Sequence, residues 1–526
     1  MTGLVKRVLR IASVAALGLY LVSIAWLGRL EKGGPAHADV QLEGGIPATL
    51  YLPEEGTERT AFLDTPPLGE RPAAIVLMHG FASERNQMST LARGLAGSGY
   101  AVLAIDVRGH GQNRTPFARS WARGDAFFPE LAAAVDFLRA SPHVDGSRLV
   151  VMGHSMGAGA SLDYATRDSG IDGVVLISGG WTLHGPYRPP NALFIYASGD
   201  PERIRSRSNE LAARIAGVPR LELSQTYGEL ANGTAVRVVE LPGLDHATIA
   251  WSDATVREIV AWLDAIFGVE RADGAPPSDP RWRPLLLAGI ALPFLLLGLG
   301  QLVGRIAPAR DERPAAGAAT GLLGLVVALV LTTPLLATGT PGPILSVEVG
   351  DVVVTHFALC GVALLVVLAR KRRAELLSLF RDPVPTLLGA SLGVIAIYLL
   401  MHPVGSVLHR ITLTPERTLV FALAALGILP FSAAFQLLLR RGRPRVATLY
   451  CVAGRVAVLG TLLLAVKVGL LGGVVLLMLP AFALIFVLLE VVAASIYAQS
   501  RNLAAISLID AGWVALIVAA IMPIRI

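Results

Sequence analysis

Three side chains suited to acyl transfer stand in a fixed order along this chain. Ser155 lies in Gly153-His154-Ser155-Met156-Gly157, Asp200 in Ser198-Gly199-Asp200-Pro201, and His246 in Leu244-Asp245-His246-Ala247. A serine hydroxyl becomes a useful nucleophile when an imidazole within hydrogen-bond reach takes its proton, and a carboxylate that fixes the imidazole tautomer makes that base effective. Upstream, His79-Gly80-Phe81 opens a loop whose backbone N–H at Phe81, with that of Met156, could stabilise a developing oxyanion. None of these pieces is decisive alone. Glycine is abundant, 54 of 526 residues, and a serine ahead of a helix is often only an N-cap.

Such chemistry needs a scaffold that brings distant points of the chain to one edge. The runs TLYLP, AAIVLMHG, YAVLAIDV, RLVVMGH, GVVLISG, ALFIYASG and VRVVELPG read as strands. Several are continuous aliphatic runs, as expected of strands covered on both faces. Between them, NQMSTLARGLAGSG, DAFFPELAAAVDFLRAS, MGAGASLDYATRD, RIRSRSNELAARIAG and ATVREIVAWLDAIFG carry helical patterns. The alternation predicts an α/β domain, a mostly parallel sheet with helices on both faces. Ser155 falls between a strand and a helix, the setting of a nucleophile elbow, where Gly153 and Gly157 leave room for a sharp turn. Asp200 and His246 each follow a later strand. Asp106, at the end of an earlier strand, is the rival acid. Asp245 adjoins His246 and is expected to point away from it. His79 and His154 read as packed residues, and His110, His143 and His184 as ordinary surface or core residues.

The motifs His79-Gly80-Phe81, DVRGHG from Asp106, GHSMGAG from Gly153, SGDPE from Ser198 and LDHATI from Leu244 together resemble the α/β-hydrolase superfamily over roughly residues 45–270. Within it they are most similar to the compact esterase, dienelactone-hydrolase and serine-aminopeptidase-like branches. The resemblance implies Ser155 as nucleophile, His246 as base, Asp200 as its acid, and an ester, thioester or amide substrate, with no cofactor and no metal. Only about a dozen residues separate the strand ending near Ser178 from the one starting at Ala192, too few for a cap domain. The elbow serine argues against the haloalkane and epoxide branches, which use aspartate there. The loop GQNRTPFARSWARGD, with Arg114, Phe117, Arg119, Trp121 and Arg123, either shields substrate, binds acidic lipid headgroups, or is simply solvated.

Composition sets this domain in a larger context. The chain is 53% hydrophobic and 16% charged, with a mean hydropathy of +0.60. Residues 40–275 are ordinary in composition, whereas from Pro284 apolar stretches of bilayer length alternate with short polar loops. Lys6, Arg7 and Arg10 precede a first apolar run. An uncleaved anchor is expected there, with a signal peptide ending at Ala36-His37-Ala38 as the rival. Further spans are predicted near 285–305, 316–338, 351–369, 384–401, 418–438, 446–466, 473–497 and 505–523, with Pro430 and Pro480 interrupting helices. The partition is therefore 1–38, membrane anchor and linker; 39–275, α/β domain; and 276–526, multi-pass helical domain.

The arginines concentrate in alternate loops. By the positive-inside rule this puts the N-terminus in the cytoplasm and the α/β domain outside it, in a cell membrane. The net charge of +6 is explained by these loops and does not point to nucleic acid. Cys360 and Cys451 both lie in apolar segments and suggest neither a disulfide nor a metal site. Arg455, Glu490 and Asp510 fall in three successive spans, either as an ion-pair network or as a proton or substrate path.

Three functions fit this sequence. One is a membrane-anchored serine hydrolase acting on lipidic or envelope acyl substrates. Another is an envelope acyltransferase using the same chemistry. A third, of a different class, is a transporter or signalling protein with a hydrolase-like sensing domain. The oligomeric state is left open.

Overall fold

A computed structural model describes residues 3–55, 70–118, 124–180, 188–271, 276, 278–337, 345–411 and 413–525. The chain forms two compact units. One comprises Leu27–Trp282 together with Gly405–Thr412 and Pro523–Ile526; the other comprises Met1–Trp26, Arg283–Val404 and Leu413–Met522. The linear partition expected from composition does not contain the two short segments that join the first unit.

The first unit is built on nine strands: β1 (Pro35–Leu42), β2 (Ile46–Glu55), β3 (Ala73–Met78), β4 (Ala101–Ile105), β5 (Asp145–His154), β6 (Gly173–Ile177), β7 (Ala192–Ala197), β8 (Thr226–Tyr227) and β9 (Val236–Leu241). Their spatial order is β1-β2-β4-β3-β5-β6-β7-β9-β8. The six strands from β4 to β9 in that order pair in parallel, while β1–β2, β2–β4 and β8–β9 are antiparallel. The aliphatic runs explain the parallel core. β3, β4, β6 and β7 are buried at every position, which suits strands covered on both faces. Side chains alternate across the sheet: Ala74, Val76 and Met78 join one core, with α3 (Phe128–Ala140), α4 (Met156–Ala165) and α5 (Glu202–Ala216). Ile75 and Leu77 join the other, with α2 (Ser89–Ala96) and α6 (Asp253–Phe267).

Pro35–Leu42 corrects the sequence reading, which placed residues up to 38 in a linker. PAHADVQL lacks an aliphatic run, yet Ala36 and Ala38 are buried and alternate with half-buried neighbours. That is the pattern of an edge strand with one covered face. The two-residue β8 was likewise not anticipated.

The second unit is helical. Its elements are α1 (Gly3–Lys32, as far as Trp26), α7 (Trp282–Ile306, from Arg283), α8 (Ala318–Ala337), α9 (Gly350–Lys371), the short α10 (Arg373–Leu377), α11 (Pro383–Leu408, as far as Val404), α12 (Pro415–Leu439), α13 (Pro444–Lys467), α14 (Val474–Ser500) and α15 (Leu503–Ile521). Among the described residues nine helices are long and apolar enough to cross a membrane, the number expected from the sequence. α12 and α14 continue through Pro430 and Pro480 rather than breaking there. The helix can absorb one lost N–H when neighbouring helices support it.

Arg455, Glu490 and Asp510 do meet. Arg455 lies 3.3 Å from Glu490 and 3.1 Å from Asp510. The sequence reading missed two further members. Arg440, which falls between the predicted spans 418–438 and 446–466, is fully buried and reaches Glu490 at 2.7 Å. Gln436 bridges Arg440 and Asp510 at 2.6 and 2.9 Å. Every carboxylate in this cluster therefore has a cationic partner, as charge withdrawn from water requires.

Candidate active site

Strand register brings the site together. Met78 lies opposite Gly153, His154 opposite Ile177, Ile177 opposite Ile195, and Ala197 opposite Leu241. Residues just beyond those strand ends therefore gather at one edge of the sheet: Gly80 and Phe81, Ser155, Ser178, Asp200 and His246.

Ser155 joins β5 to α4 with φ +54° and ψ −112°, a region that side chains other than glycine rarely occupy. The flanking glycines make that turn possible by letting backbone approach backbone. A Cβ on Gly153 would stand 2.3 Å from the Gly157 carbonyl carbon, and one on Gly157 would stand 2.5 Å from the Met78 carbonyl oxygen. Neither neighbour is a flexible side chain that could yield. Ser155 is thus not a conventional N-cap: its side chain makes no capping hydrogen bond to α4. The hydroxyl instead faces His246, with Oγ 3.0 Å from Nε2.

On the other side of the ring, His246 Nδ1 lies 2.6 Å from Asp200 Oδ1. The carboxylate is held in turn. Its Oδ2 accepts from the Ser178 hydroxyl at 2.6 Å and from the Ala197 N–H at 2.8 Å. Burial alone would raise the Asp200 pKa, but the hydrogen bonds from His246, Ser178 and Ala197 outweigh it and hold the carboxyl below the usual range. Asp200 is therefore an anion that receives three donors, and His246 carries its proton on Nδ1. Nε2 is left to accept from Ser155.

Four other candidates are set aside by their partners. Asp106 is engaged by the Arg85 guanidinium, the Arg85 N–H at 2.9 Å and the Gln112 N–H at 2.9 Å. Asp245 is taken up by its own turn, accepting from the N–H groups of Ala247 and Thr248 at 3.0 and 2.9 Å. His154 is packed and buried, and burial lowers its pKa to about 3. It is neutral, and its Nε2 donates to the His246 carbonyl at 2.8 Å. His79 is also buried, with its pKa lowered by burial; it donates from Nδ1 to the Gly80 carbonyl at 2.8 Å and accepts the Val107 N–H at 3.3 Å.

The Gly80–Arg85 turn packs directly on the elbow: a Cβ on Gly80 would lie 3.1 Å from the His154 ring and 3.2 Å from Ser155 Cβ. Ala82 adopts φ +55° and its N–H donates to His110 Nε2 at 3.2 Å. His110 is a buried core residue whose ring fixes this turn. The sequence reading also missed Ser178, although the serine closing GVVLIS at a strand end, with φ +48°, is a signal that could have found it. Arg119, Trp121, Arg123 and His184 lie outside the described residues, while Phe117 is buried against Phe81, His110 and Phe127.

The strand order, the crossovers and the strand-to-helix serine turn together define an α/β-hydrolase domain. Residues 69–201 match the family described as serine aminopeptidase, S33. A bis(hydroxyethyl) terephthalate hydrolase of Streptomyces coelicolor is 26% identical over 219 residues, 41% of this chain and 60% of that protein. Cutinase est1 of Thermobifida alba is 24% identical over 196 residues, 36% of this chain and 59% of the cutinase. A monoacylglycerol lipase of Mycolicibacterium smegmatis is 33% identical over 116 residues, 22% of this chain and 39% of the lipase. The chain thus spans about three-fifths or less of the length of these curated relatives.

Proposed function

We propose that this protein is a membrane-anchored serine hydrolase that cleaves carboxylic esters through an acyl-enzyme on Ser155. The observation that carries this reading is the imidazole of His246 lying 3.0 Å from the Ser155 hydroxyl and 2.6 Å from the Asp200 carboxylate. Ser155 Oγ attacks the carbonyl carbon as its proton passes to His246 Nε2. The tetrahedral oxyanion is stabilised by the N–H groups of Phe81 and Met156, aided by the positive end of α4. Collapse expels the alcohol, which takes the proton from His246. Water, deprotonated by the same imidazole, then releases the acid. The relatives named for terephthalate ester, cutin and monoacylglycerol cleavage favour an ester over an amide. The nine apolar helices among the described residues favour a lipidic or envelope acyl substrate, and the arginine-rich alternate loops favour a hydrolase domain outside the cytoplasm.

A fluorophosphonate probe that cannot cross membranes tests chemistry and orientation together. Intact cells should label on Ser155, and Ser155→Ala should abolish labelling. Labelling that survives this substitution refutes the mechanism, and labelling only after lysis reverses the orientation. A smaller effect is expected at Ser178. Ser178→Ala removes one of the two donors that pin Asp200 Oδ2. A hydrogen bond to a charged group contributes about 1.5 kcal/mol or more, so kcat/KM on a chromogenic ester should fall roughly tenfold. An unchanged value would remove Ser178 from the site.

A further inference from the structure

The two short segments that join the hydrolase unit from far along the chain both bear on the side of the site that carries the Phe81 loop. Gly405–Thr412, which the chain reaches only at the end of α11, the fifth of its long apolar helices, contributes Arg410. The Arg410 backbone N–H donates to Glu84 Oε1 at 2.8 Å, and the His409 ring lies 3.9 Å from the same oxygen. Pro523–Ile526 contributes Ile524, which donates to the Gly109 carbonyl at 2.9 Å and accepts from the Phe117 N–H at 2.7 Å. Those bonds bracket His110, the residue that accepts the Ala82 N–H. The turn from Gly80 to Arg85 is therefore held at two points by groups remote in sequence.

Resting on the hydrolase reading above, we propose that Glu84 is a positioning residue: it fastens the Gly80–Arg85 turn to the α11–α12 connection and thereby sets the Phe81 N–H against Ser155. Glu84 does not touch substrate. It acts through a turn that lies so close to the elbow that a Cβ on Gly80 would stand 3.2 Å from Ser155 Cβ. An error of an ångström in such a donor can cost about a hundredfold in rate.

The surroundings of Glu84 fix its protonation state. The charged groups facing it are Asp106, Arg85 and, from the connection, Arg410, with the titratable ring of His409 beside them. Asp39 lies beyond them, between Arg85 and Arg410 at 3.5 and 3.6 Å. The Arg85 guanidinium is already committed to Asp106. Glu84 is 1% exposed and its Oε2 has no hydrogen-bond partner among the described residues, which suits a neutral acid. Burial first, and then the neighbouring Asp106, push its pKa up to about 8. The folded protein therefore keeps a proton that the unfolded chain releases near its ordinary value of 4.5. Linkage gives the sign: stability falls as pH rises from about 4.5 to about 8 and is level above that.

The test uses the full chain in detergent with 4-nitrophenyl butyrate as substrate. Glu84→Leu keeps the bulk and removes the acceptor, whereas Glu84→Gln keeps a neutral acceptor. Glu84→Leu should lower kcat by roughly ten- to a hundredfold with KM within about twofold. Glu84→Gln should keep at least about half of wild-type kcat. The fall in Tm between pH 5 and pH 8 should be shallower in Glu84→Gln than in wild type. Wild-type kcat in Glu84→Leu, loss in Glu84→Gln equal to that in Glu84→Leu, or an unchanged pH slope in Glu84→Gln would each overturn the proposal. Should Glu84→Leu fail to fold, the Gln variant and the pH slope still decide. If wild type neither labels with fluorophosphonate nor turns over the ester, the hydrolase reading fails instead, and the pH slope judges the Glu84 contact separately.

Discussion

His246→Ala should lower the rate of Ser155 acylation by about four to six orders of magnitude. The imidazole is the only group within hydrogen-bond distance of Ser155 Oγ among the described side chains. Its removal leaves a hydroxyl with no base and an alcohol leaving group with no proton donor. The residues of such a site act as a unit, so combining His246→Ala with Ser155→Ala should reduce turnover no further than either change alone. Single-turnover measurements with a chromogenic ester separate this loss from substrate binding. A fall of less than about tenfold in the His246 variant would mean that some other base serves Ser155.

Asp200→Asn should cost about 10⁴-fold in kcat, and the structure explains why a near-isosteric change is so damaging. At the position of Oδ2, the Ser178 hydroxyl and the Ala197 N–H both donate. That position demands an acceptor. An asparagine must place its carbonyl oxygen there, which turns its amide NH₂ toward His246 Nδ1. The imidazole is then driven into the tautomer with the proton on Nε2, where it cannot accept from Ser155. Expression and thermal unfolding should stay close to wild type while turnover collapses. Substituting Ser178→Ala in the Asp200→Asn background leaves the Ala197 N–H donating at that position, so the demand for an acceptor persists and no activity should return. A clear recovery of turnover in the double variant would mean that the Ser178 hydroxyl, not the Ala197 N–H, dictates the amide orientation.

Much of this site was legible in the sequence because the constraints are local. Gly153 and Gly157 bracket a serine at a strand-to-helix junction, and Asp200 and His246 each follow a strand of unbroken aliphatic residues. Period and punctuation suffice to place them on one edge of a parallel sheet. The supporting contacts were not legible for the opposite reason. Ser178 meets Asp200 across 22 residues, His154 meets the His246 carbonyl across 92, and Glu84 meets Arg410 across 326. No periodicity spans such separations. β1 escaped notice because an edge strand with one covered face needs only small residues such as Ala36 and Ala38 at alternate positions. From sequence alone Arg440 falls outside the predicted spans, because it sits in a run of arginines just past the end of an apolar stretch. Only the fold reveals that its guanidinium turns back to meet Glu490.

The cluster that Arg440 completes bears on how the helical unit responds to an electric field. Two arginines and two carboxylates are bonded to one another there, so their formal charges sum to zero. A potential of 100 mV acts on each elementary charge with about 2.3 kcal/mol, but the pulls on the two signs oppose and cancel across the network. Shifting these groups together would therefore transfer no net charge across a bilayer that the helices span. Packing secured in this way would be insensitive to voltage, unlike that of a helix carrying unmatched arginines.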